Sequence, residues 1–281
     1  MKKTEAKKNI AIFVDNFKVG GIQKSLINLL NNNDYDKWNI DVYVADCNDN
    51  FFNINKNANI IKFNKVSPAL KFVPFNIVYK IYHPNILNKE YDLAIDFDSY
   101  QMHTAIGALK CNSKRKAIWI HNDIPIKLRE EYKYRILHFF FKKKYDYFDT
   151  YCAVSQGALD SFKRINKAKN ANKEYLVIPN YIDTKEIADK LKENCDIKVE
   201  KEKVNIVTVG RLCHQKGIDI MLDNIKQLSL ERKDFHLYII GDGDEKEKLI
   251  ERTKKLDLEN YVTFLGNQKN PFKYLKEMDL F

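Results

Sequence analysis

The chain has 281 residues, of which 44% are apolar and 12% aromatic, and its formal net charge is +10. This length allows about two domains of roughly 150 residues each, and the apolar content suffices for packed cores, which excludes a disordered chain. The five cysteines are widely spaced and form no CxxC pair. The cysteines therefore indicate neither a disulfide framework nor a zinc site, and we expect reduced thiols.

The N-terminus carries lysines, as a signal peptide does, but its apolar run, IAIFV, stops at Asp15. We therefore expect residues 9–15 to form the first strand of a domain. No uncharged apolar run approaches the ~20 residues of a membrane-spanning helix, so any membrane attachment is expected to be peripheral.

Strand-like runs recur along the first two thirds of the chain, most of them separated by segments of helical periodicity. The runs are 9–15, 38–46, 58–63, 91–97, 116–121, 150–155 and 174–179. This alternation predicts an α/β fold with a parallel sheet covered by helices on both faces. Such a sheet binds ligands beyond the carboxyl ends of its strands.

Two glycines, Gly20 and Gly21, lie between the first strand and the first helix. Either they form a tight turn that needs a positive φ, or they let the backbone approach a negatively charged ligand at the helix N-terminus. The third glycine of a dinucleotide fingerprint is missing, which weakens an NAD-binding interpretation, although Asp46 does lie near the end of the second strand.

His121 lies at the carboxyl end of the fifth predicted strand and is followed by Asn122 and Asp123. An imidazole at this edge can hydrogen-bond a sugar hydroxyl or a phosphate, and it can change charge near neutral pH. We therefore favour a functional role over that of a buried structural histidine. The sequence has no paired metal-ligand spacing, so no bound metal is predicted.

Most of the excess charge lies in one region, because residues 110–144 contain eleven Lys or Arg against three acids, a net charge of +8. Its centre, Tyr132–Phe148, mixes cations with aromatic residues. This pattern fits the solvated face of an amphipathic basic helix, and it also fits peripheral contact with an anionic membrane or a lipid phosphate. Nucleic acid is not predicted as a partner, since no nucleic-acid motif accompanies the charge.

A charged segment at 183–203 separates this series from a second one. We expect an N-terminal Rossmann-like domain at 1–183, a linker at 184–202 and a partial C-terminal Rossmann-like domain at 203–281. The second series reads as three strands and three helices, with strands at 204–210, 235–241 and 261–265 and helices at 216–229, 244–256 and 271–277. The last residues, DLF, are typical of the beginning of a fourth strand.

The stretch VGRLCHQKGID follows the first strand of the second series and precedes a helix. Arg211 and Lys216 can together neutralise a pyrophosphate, the guanidinium through a bidentate fork and the ammonium as a compact charge. After the next strand, Gly241 and Gly243 indicate either a phosphate- or base-side loop or a simple turn.

These stretches, in this order, resemble the retaining glycosyltransferases of family 4, the group 1 glycosyltransferases. The similar stretches are GGIQKSLINLL, WIHND, AVSQGALDSF, VIPNYID, VGRLCHQKGID and IIGDGDEKEKL. The resemblance extends from about Asn9 to Phe281, and its most specific part is the pattern G-R-L-x-x-x-K-G. It implies a GT-B fold, in which two Rossmann-like domains face each other across a cleft, with the acceptor on the first and the nucleotide sugar on the second.

The resemblance also implies roles for individual residues. Arg211 and Lys216 would hold the donor diphosphate and stabilise the charge that grows on it, in place of a metal or other cofactor. Gly21 would let the first-domain loop close over the same phosphates, and His121 would contact the reacting sugar or the acceptor. The family retains the anomeric configuration by attack on the same face, so no dedicated nucleophile is expected.

The sequence departs from the family in one respect. The family carries a Glu-x7-Glu motif after the fourth strand of the second domain, and no matching glutamates are present here. We expect a second domain that is incomplete, either in a truncated chain or in one whose activity is lost or depends on a partner.

The functional hypothesis is a transferase that moves a sugar from a nucleotide diphosphate, with UDP as the expected nucleotide, to a surface polysaccharide or lipid-linked glycan. Its expected location is the cytoplasm, at the inner face of the cell membrane. The alternative is a catalytically incomplete glycosyltransferase-like binding protein, and an oxidoreductase is disfavoured by the missing glycine fingerprint.

Overall fold

The computed structural model describes residues 6–18, 20–46, 54–166 and 172–281. The chain divides into two compact units, Met1–Ile182 (unit 1) and Asp183–Phe281 (unit 2). Both are built on parallel sheets, so the α/β prediction is confirmed.

Unit 1 contains a seven-stranded sheet in the order β3-β2-β1-β4-β5-β6-β7, and every neighbouring pair is parallel. All seven strand-like runs form strands. The strands are β1 Lys8–Asn16, β2 Trp38–Asp46, β3 Asn59–Lys62, β4 Tyr91–Asp96, β5 Ser113–Ile120, β6 Thr150–Ala153 and β7 Glu174–Val177. The helices are α1 Gly21–Asn31, α2 Phe75–Ile81, α3 Met102–Lys110, α4 Ile124–Glu130, α5 Tyr132–Phe141 and α6 Gln156–Ile165.

The sheet of unit 1 is buried on both faces, which explains its nearly continuous apolar strands. Along β1, Ala11 and Phe13 point into the cluster packed against α3 and α6, whereas Ile12 and Val14 point into the cluster packed against α1. Each fully buried aliphatic or aromatic side chain contributes about 1.5–3 kcal/mol to folding. The close approach of α3 depends on Gly107, since a Cβ there would lie 2.5 Å from the Phe13 ring.

The strand order places a topological switch between β1 and β4. Strands β2 and β3 are added on one side of β1, and strands β4 to β7 are added on its other side. Ligands of open α/β sheets bind beyond the carboxyl ends of the strands at such a switch. The carboxyl ends of β1, β4 and β5 therefore form the part of unit 1 where a ligand is expected.

The segment between β5 and β6 is not one continuous helix. Helix α5 ends at Phe141, and a 3-10 helix, Lys142–Tyr147, follows it. Tyr134, His138, Phe141, Lys144 and Tyr145 are buried in this segment. The interpretation of Tyr132–Phe148 as a helix with a solvated basic face is therefore wrong for part of its length, because the 3-10 turn directs Lys144 into the interior.

Unit 2 contains the strands β8 Val204–Val209, β9 Phe235–Ile240 and β10 Val262–Gly266, in the order β10-β9-β8. Its helices are α7 Thr184–Leu191, α8 Ile218–Glu231, α9 Lys246–Lys255 and α10 Phe272–Leu275. The central strand β9 is buried along all six residues. Leu280 forms a parallel bridge with Ile206 on the free side of β8, as expected for the fourth strand.

The segment predicted as a linker, 184–202, is part of unit 2. It contains α7, which begins where Asp183 accepts a hydrogen bond from the backbone N–H of Glu186 at 2.9 Å. The side chain of Asn270 donates to the carbonyl of Lys190 at 2.7 Å, and Lys276 donates to the carbonyl of Glu193 at 2.7 Å. These contacts attach the segment to the region around α10.

Candidate functional site

The loop after β8 carries the two cations that the sequence singles out. A short 3-10 helix, His214–Lys216, follows the strand, and Gly217 then adopts the left-handed conformation with φ 62°. A residue with a Cβ is strained in this conformation, which explains a glycine here. Helix α8 therefore begins at Ile218, two residues later than predicted, and Lys216 lies in the loop rather than in the helix.

The loops after β8 and β9 are held together by backbone contacts. A Cβ on Gly241 would lie 1.9 Å from the carbonyl oxygen of Gly210, and one on Gly243 would lie 2.3 Å from that of Leu212. The backbone N–H of Leu212 donates to the carbonyl of Asp242 at 3.0 Å, which ties the two loops at the same point. Gly241 and Gly243 thus have a packing role in positioning the cation-bearing loop, and contact of either glycine with a ligand remains a prediction.

Arg211 and Lys216 both lie in this tied loop. The Arg211 guanidinium is 69% exposed and lies 3.4 Å from a carboxylate oxygen of Asp244, which is itself 85% exposed. The side-chain carbons of Lys216 lie over Gly210, 3.5–3.9 Å from where a Cβ would be. Among the described residues Lys216 forms no ion pair. Since an exposed ion pair contributes only about 0–1 kcal/mol, an anionic ligand could take Arg211 from Asp244 at small cost.

Gly20 and Gly21 lie at the carboxyl end of β1, where α1 begins. Gly20 is extended, with φ −176°, and Gly21 is not among the residues with positive φ. The interpretation that this turn needs a positive φ is therefore wrong. A Cβ on Gly21 would meet nothing within 4 Å, so there is open space beside the start of α1, and the first backbone N–H groups of a helix have no acceptor within it.

His121 follows β5 directly and is held by the neighbouring strand end. Its Nε2 lies 2.7 Å from the carbonyl oxygen of Phe97, and its ring lies 4.9 Å from the Phe97 ring. Because a carbonyl can only accept, Nε2 carries the proton and Nδ1 is left as an acceptor. Burial lowers the pKa of His121 to about 4, although the hydrogen bond to Phe97 alone would raise this pKa. The expected change of charge near neutral pH is therefore wrong, and a neutral imidazole can accept a hydrogen bond from a hydroxyl.

A buried group of charged side chains lies at the same edge, and the sequence analysis missed it. Asp15, near the end of β1, lies 2.9 Å from Nε2 of His103, and its backbone N–H donates to Asp98 at 3.1 Å. Burial raises the pKa of Asp15, but the hydrogen bond and charge of His103 outweigh burial and lower this pKa to about 2. For Asp98, burial and the charge of Asp96 outweigh the hydrogen bond from the Asp15 backbone and raise its pKa to about 6.

Lys144 supplies the opposite charge from the 3-10 helix after α5. It is fully buried and donates to the carbonyl of Ser99, whose φ is 56°. Burial lowers the pKa of Lys144 to about 8, although Asp96 and Asp98 oppose this shift. The sequence signal for this buried charged group was the run DFDSY at the end of β4. Two carboxylates at a strand end next to a topological switch are unusual in a core.

The candidate residues thus lie at two strand edges, one in each unit. Asp15 lies near the end of β1, and Asp98 and His121 lie just after the adjacent strands β4 and β5. All three are at the topological switch of unit 1, together with Gly20 and Gly21. Arg211 and Lys216 lie at the carboxyl end of β8 in unit 2, next to Gly241 and Gly243 at the end of β9. The strand edge in unit 1 carries groups that can hydrogen-bond hydroxyls, and the strand edge in unit 2 carries two cations.

Comparisons with known proteins agree with this description. Residues 189–281 match the family model of glycosyl transferases group 1. An uncharacterized glycosyltransferase of Methanocaldococcus jannaschii is 31% identical over 179 residues, which are 60% of this chain and 42% of that protein. The N-acetylgalactosamine-N,N'-diacetylbacillosaminyl-diphospho-undecaprenol 4-alpha-N-acetylgalactosaminyltransferase of Campylobacter jejuni is 31% identical over 105 residues, which are 37% of this chain and 27% of that protein.

Among solved structures, the Anabaena protein HepE in complex with UDP superposes with a TM-score of 0.62 at 15% identity, covering 97% of this chain and 73% of that one. At this identity the likeness shows the fold, which is the α/β fold of GT-B glycosyltransferases with two Rossmann-like units. The sequence matches cover less than half the length of the curated relatives, 42% and 27% of the two named above.

Proposed function

We propose that this protein transfers a sugar from a UDP-sugar to a surface polysaccharide or lipid-linked glycan with retention of configuration, as a member of family 4 of the retaining glycosyltransferases. The observation that carries the proposal is the loop after β8. It presents Arg211 and Lys216 from a backbone fixed by close contact between Gly210 and Gly241, within the residues that match the group 1 glycosyltransferase model.

In this proposal the two cations bind the donor diphosphate. Arg211 leaves Asp244, its weak exposed partner, and forms a bidentate contact with phosphate oxygens, while Lys216 adds a second positive charge. As the glycosidic bond breaks, negative charge grows on the leaving diphosphate, and cations already in place stabilise that charge without reorganisation. The two side chains thereby do the work of a metal ion, so we propose that transfer needs no metal or other cofactor.

The edge of unit 1 would hold the acceptor and the reacting sugar. His121 is neutral because burial lowers its pKa to about 4, so its Nδ1 can accept a hydrogen bond from a sugar or acceptor hydroxyl. Retention follows if the acceptor oxygen attacks from the face that the diphosphate leaves and gives its proton to a phosphate oxygen. Gly21, with open space at its Cβ position, would let the start of α1 approach the same phosphates.

The Campylobacter relative acts, by its name, on an acceptor carried by diphospho-undecaprenol. A lipid-linked acceptor of this kind would place the protein at the cytoplasmic face of the membrane, where the basic segment Tyr132–Phe148 could contact anionic lipid. No helix in the described part of the chain is both long and apolar enough to cross a bilayer. The proposal includes no nucleic-acid partner.

The proposal is tested by titrating the 281-residue protein with UDP in a calorimeter. Replacing Arg211 or Lys216 by alanine should weaken UDP binding by about tenfold or more, because a hydrogen bond to a charged group contributes about 1.5–3 kcal/mol. Asp244→Asn should leave UDP binding unchanged or strengthen it by about threefold, since it releases Arg211.

Arg232→Ala is the matched control, because Arg232 forms a comparable exposed pair with Asp234 before β9, at the opposite edge of the sheet. UDP affinity that survives the loss of both Arg211 and Lys216 would overturn the assignment of the diphosphate to this loop. Transfer is tested separately by measuring UDP release from UDP-sugars. Binding without release from any donor would favour the alternative, a glycosyltransferase-like binding protein without catalytic activity.

A further inference from the structure

Lys144 is completely buried, although its neighbours Lys142 and Lys143 are exposed. Its ammonium group donates a hydrogen bond to the carbonyl of Ser99 and lies 4.9 Å from the Phe141 ring. A lysine is almost never fully buried unless its charge has a partner. The ammonium group therefore acts on the interior of unit 1, and the proposed transfer assigns it no role.

The charge of Lys144 is compensated by carboxylates at the end of β4. Burial lowers the pKa of Lys144 to about 8, and the charges of Asp96 and Asp98 oppose this shift. Burial raises the pKa of Asp96, and the charge of Lys144 is the largest effect that opposes it. His138 faces the same ammonium group from α5, and burial together with the charge of Lys144 lowers its pKa to about 4. Removing Lys144 alone therefore leaves buried carboxylates without this cation, which destabilises a folded protein.

The turn that Lys144 contacts is strained. Ser99 has a φ of 56°, and among the residues that the structure describes only Asp257 shares a positive φ without being a glycine. The backbone N–H of Ser99 donates to a carboxylate oxygen of Asp96 at 3.1 Å, and its carbonyl accepts from Lys144. A residue with a Cβ keeps this conformation only where its surroundings impose it, and such residues are concentrated at functional sites. These two contacts hold Ser99 in the left-handed conformation.

The same turn carries the hydrogen-bond partner of His121. The carbonyl of Phe97 accepts the proton of His121 Nε2 at 2.7 Å. Between Phe97 and Ser99, Asp98 accepts from the backbone N–H of Asp15 at 3.1 Å, which ties the turn to β1. Because planar peptide units join Phe97 to Ser99, a displacement of the Ser99 carbonyl changes the direction of the Phe97 carbonyl. The hydrogen bond that fixes the imidazole therefore depends on what holds the Ser99 carbonyl.

We propose that Lys144 is a positioning residue for His121. By holding the Ser99 carbonyl, Lys144 keeps the Phe97 carbonyl directed at Nε2, and Nδ1 then stays unprotonated and accepts a hydrogen bond from a hydroxyl. Lys144 itself contacts neither donor nor acceptor, because it is fully buried. The effect on His121 does not depend on transfer activity, whereas the effect on the rate of transfer rests on the proposed function.

The first test measures how fast the Nε2–H proton of His121 exchanges with water, in protein labelled with ¹⁵N-histidine and with His121→Phe to assign the signal. The bond to Phe97 should protect this proton in the wild-type protein. Lys144→Met removes the ammonium group and keeps a long side chain, so exchange should become about tenfold faster or more, because the ring is no longer held in place. Lys143→Met is the matched control, since it makes the same change at the exposed neighbouring position, and it should leave the exchange rate unchanged.

Further variants separate positioning from folding. Lys144→Met/Asp96→Asn removes a buried carboxylate together with the cation and keeps an oxygen that accepts from Ser99. It should fold and show the faster exchange, whereas Asp96→Asn alone should keep the proton protected. Adding Ser99→Gly to the double variant should restore protection in part, because glycine adopts a positive φ without strain.

Two outcomes would overturn the proposal. If replacing Lys144 lowers the urea midpoint but leaves the exchange of the His121 proton unchanged, Lys144 stabilises the fold without positioning the imidazole. If Ser99→Gly restores no protection, the effect of Lys144 does not pass through the strained turn.

The second test measures UDP release from UDP-glucose. Lys144→Met should lower kcat by about tenfold or more and leave KM for the donor and Kd for UDP unchanged, because misplaced reacting groups slow the reaction without weakening ground-state binding. A higher KM at unchanged kcat would contradict a positioning role. Proton exchange is read without a sugar donor, so if the wild-type protein releases no UDP, the proposed transfer fails while the exchange measurement still decides the role of Lys144.

Discussion

Gly241 and Gly210 approach so closely that a Cβ on Gly241 would lie 1.9 Å from the Gly210 carbonyl oxygen. Gly241 also has a φ of 142°, a conformation that residues with a Cβ rarely adopt. The contact joins the ends of two neighbouring strands in unit 2, and it fixes the loop that carries Arg211. The structure thus places a steric requirement directly beside the proposed diphosphate site.

The first prediction is that Gly241→Ala destabilises unit 2. The added methyl group cannot avoid backbone atoms of Gly210, and the strained φ alone costs about 1–3 kcal/mol. We expect the free energy of unfolding to fall by about 3 kcal/mol or more, measured by urea denaturation. Gly157→Ala is the control, because a Cβ there meets nothing within 4 Å. An unchanged urea midpoint in Gly241→Ala would contradict the close contact.

The second prediction separates stability from binding at Gly21. A Cβ there meets no neighbour and Gly21 begins helix α1, so Gly21→Ala should leave stability unchanged or raise it by about 0.5 kcal/mol. If this backbone approaches the donor phosphates, the same methyl group should weaken UDP binding by about tenfold, since it holds the backbone N–H groups away from the anion. Urea denaturation and calorimetry on one preparation measure both effects. If Gly21→Ala is stable and binds UDP as tightly as the wild-type protein does, Gly21 is not part of the proposed site.

The third prediction concerns the pH dependence that Asp98 gives to stability. Burial raises its pKa from 3.8 to about 6, so the folded protein binds this proton more tightly than the unfolded chain does. The stabilising contribution is complete below pH 3.8 and is lost as the pH rises through about 6. Asp98→Asn should therefore gain stability relative to the wild-type protein between pH 4 and 7, by about 2–3 kcal/mol in total.

Urea denaturation of both proteins at several pH values measures this difference directly, because the other titrating groups are shared. The variant-minus-wild-type difference in the free energy of unfolding should rise with pH for Asp98→Asn. A flat difference for Asp98 would mean that its carboxyl group is not desolvated in the folded protein.

The sequence predicted the strands better than the site. Runs such as 9–15 and 91–97 could be recognised because strands buried on both faces are continuously apolar. The burial of Lys144 could not be recognised, because in the run KKKYDY it resembles its exposed neighbours. Its position depends on the end of α5 at Phe141 and on the carbonyl of Ser99, 45 residues earlier in the chain. Such long-range contacts leave no local pattern.

The glycines show the same limit of prediction from sequence, because long-range contacts decide their roles. The positions of Gly20, Gly21, Gly241 and Gly243 after strands were clear from the sequence, but the reason for each glycine was not. Gly241 is required by contact with a different strand end, whereas Gly21 has open space around it. Only the distances between separate loops distinguish a glycine needed for packing from one that leaves room for a ligand.

The last prediction is that His121 remains neutral throughout the physiological pH range. Burial lowers its pKa from 6.5 to about 4, and Nε2 keeps its proton for the carbonyl of Phe97. In a nuclear magnetic resonance titration, the ring signals absent from His121→Phe should shift with a midpoint near pH 4 and report the Nε2–H tautomer above it. A midpoint near 6.5 would show an exposed, chargeable imidazole and would contradict its proposed role as an acceptor for a hydroxyl group.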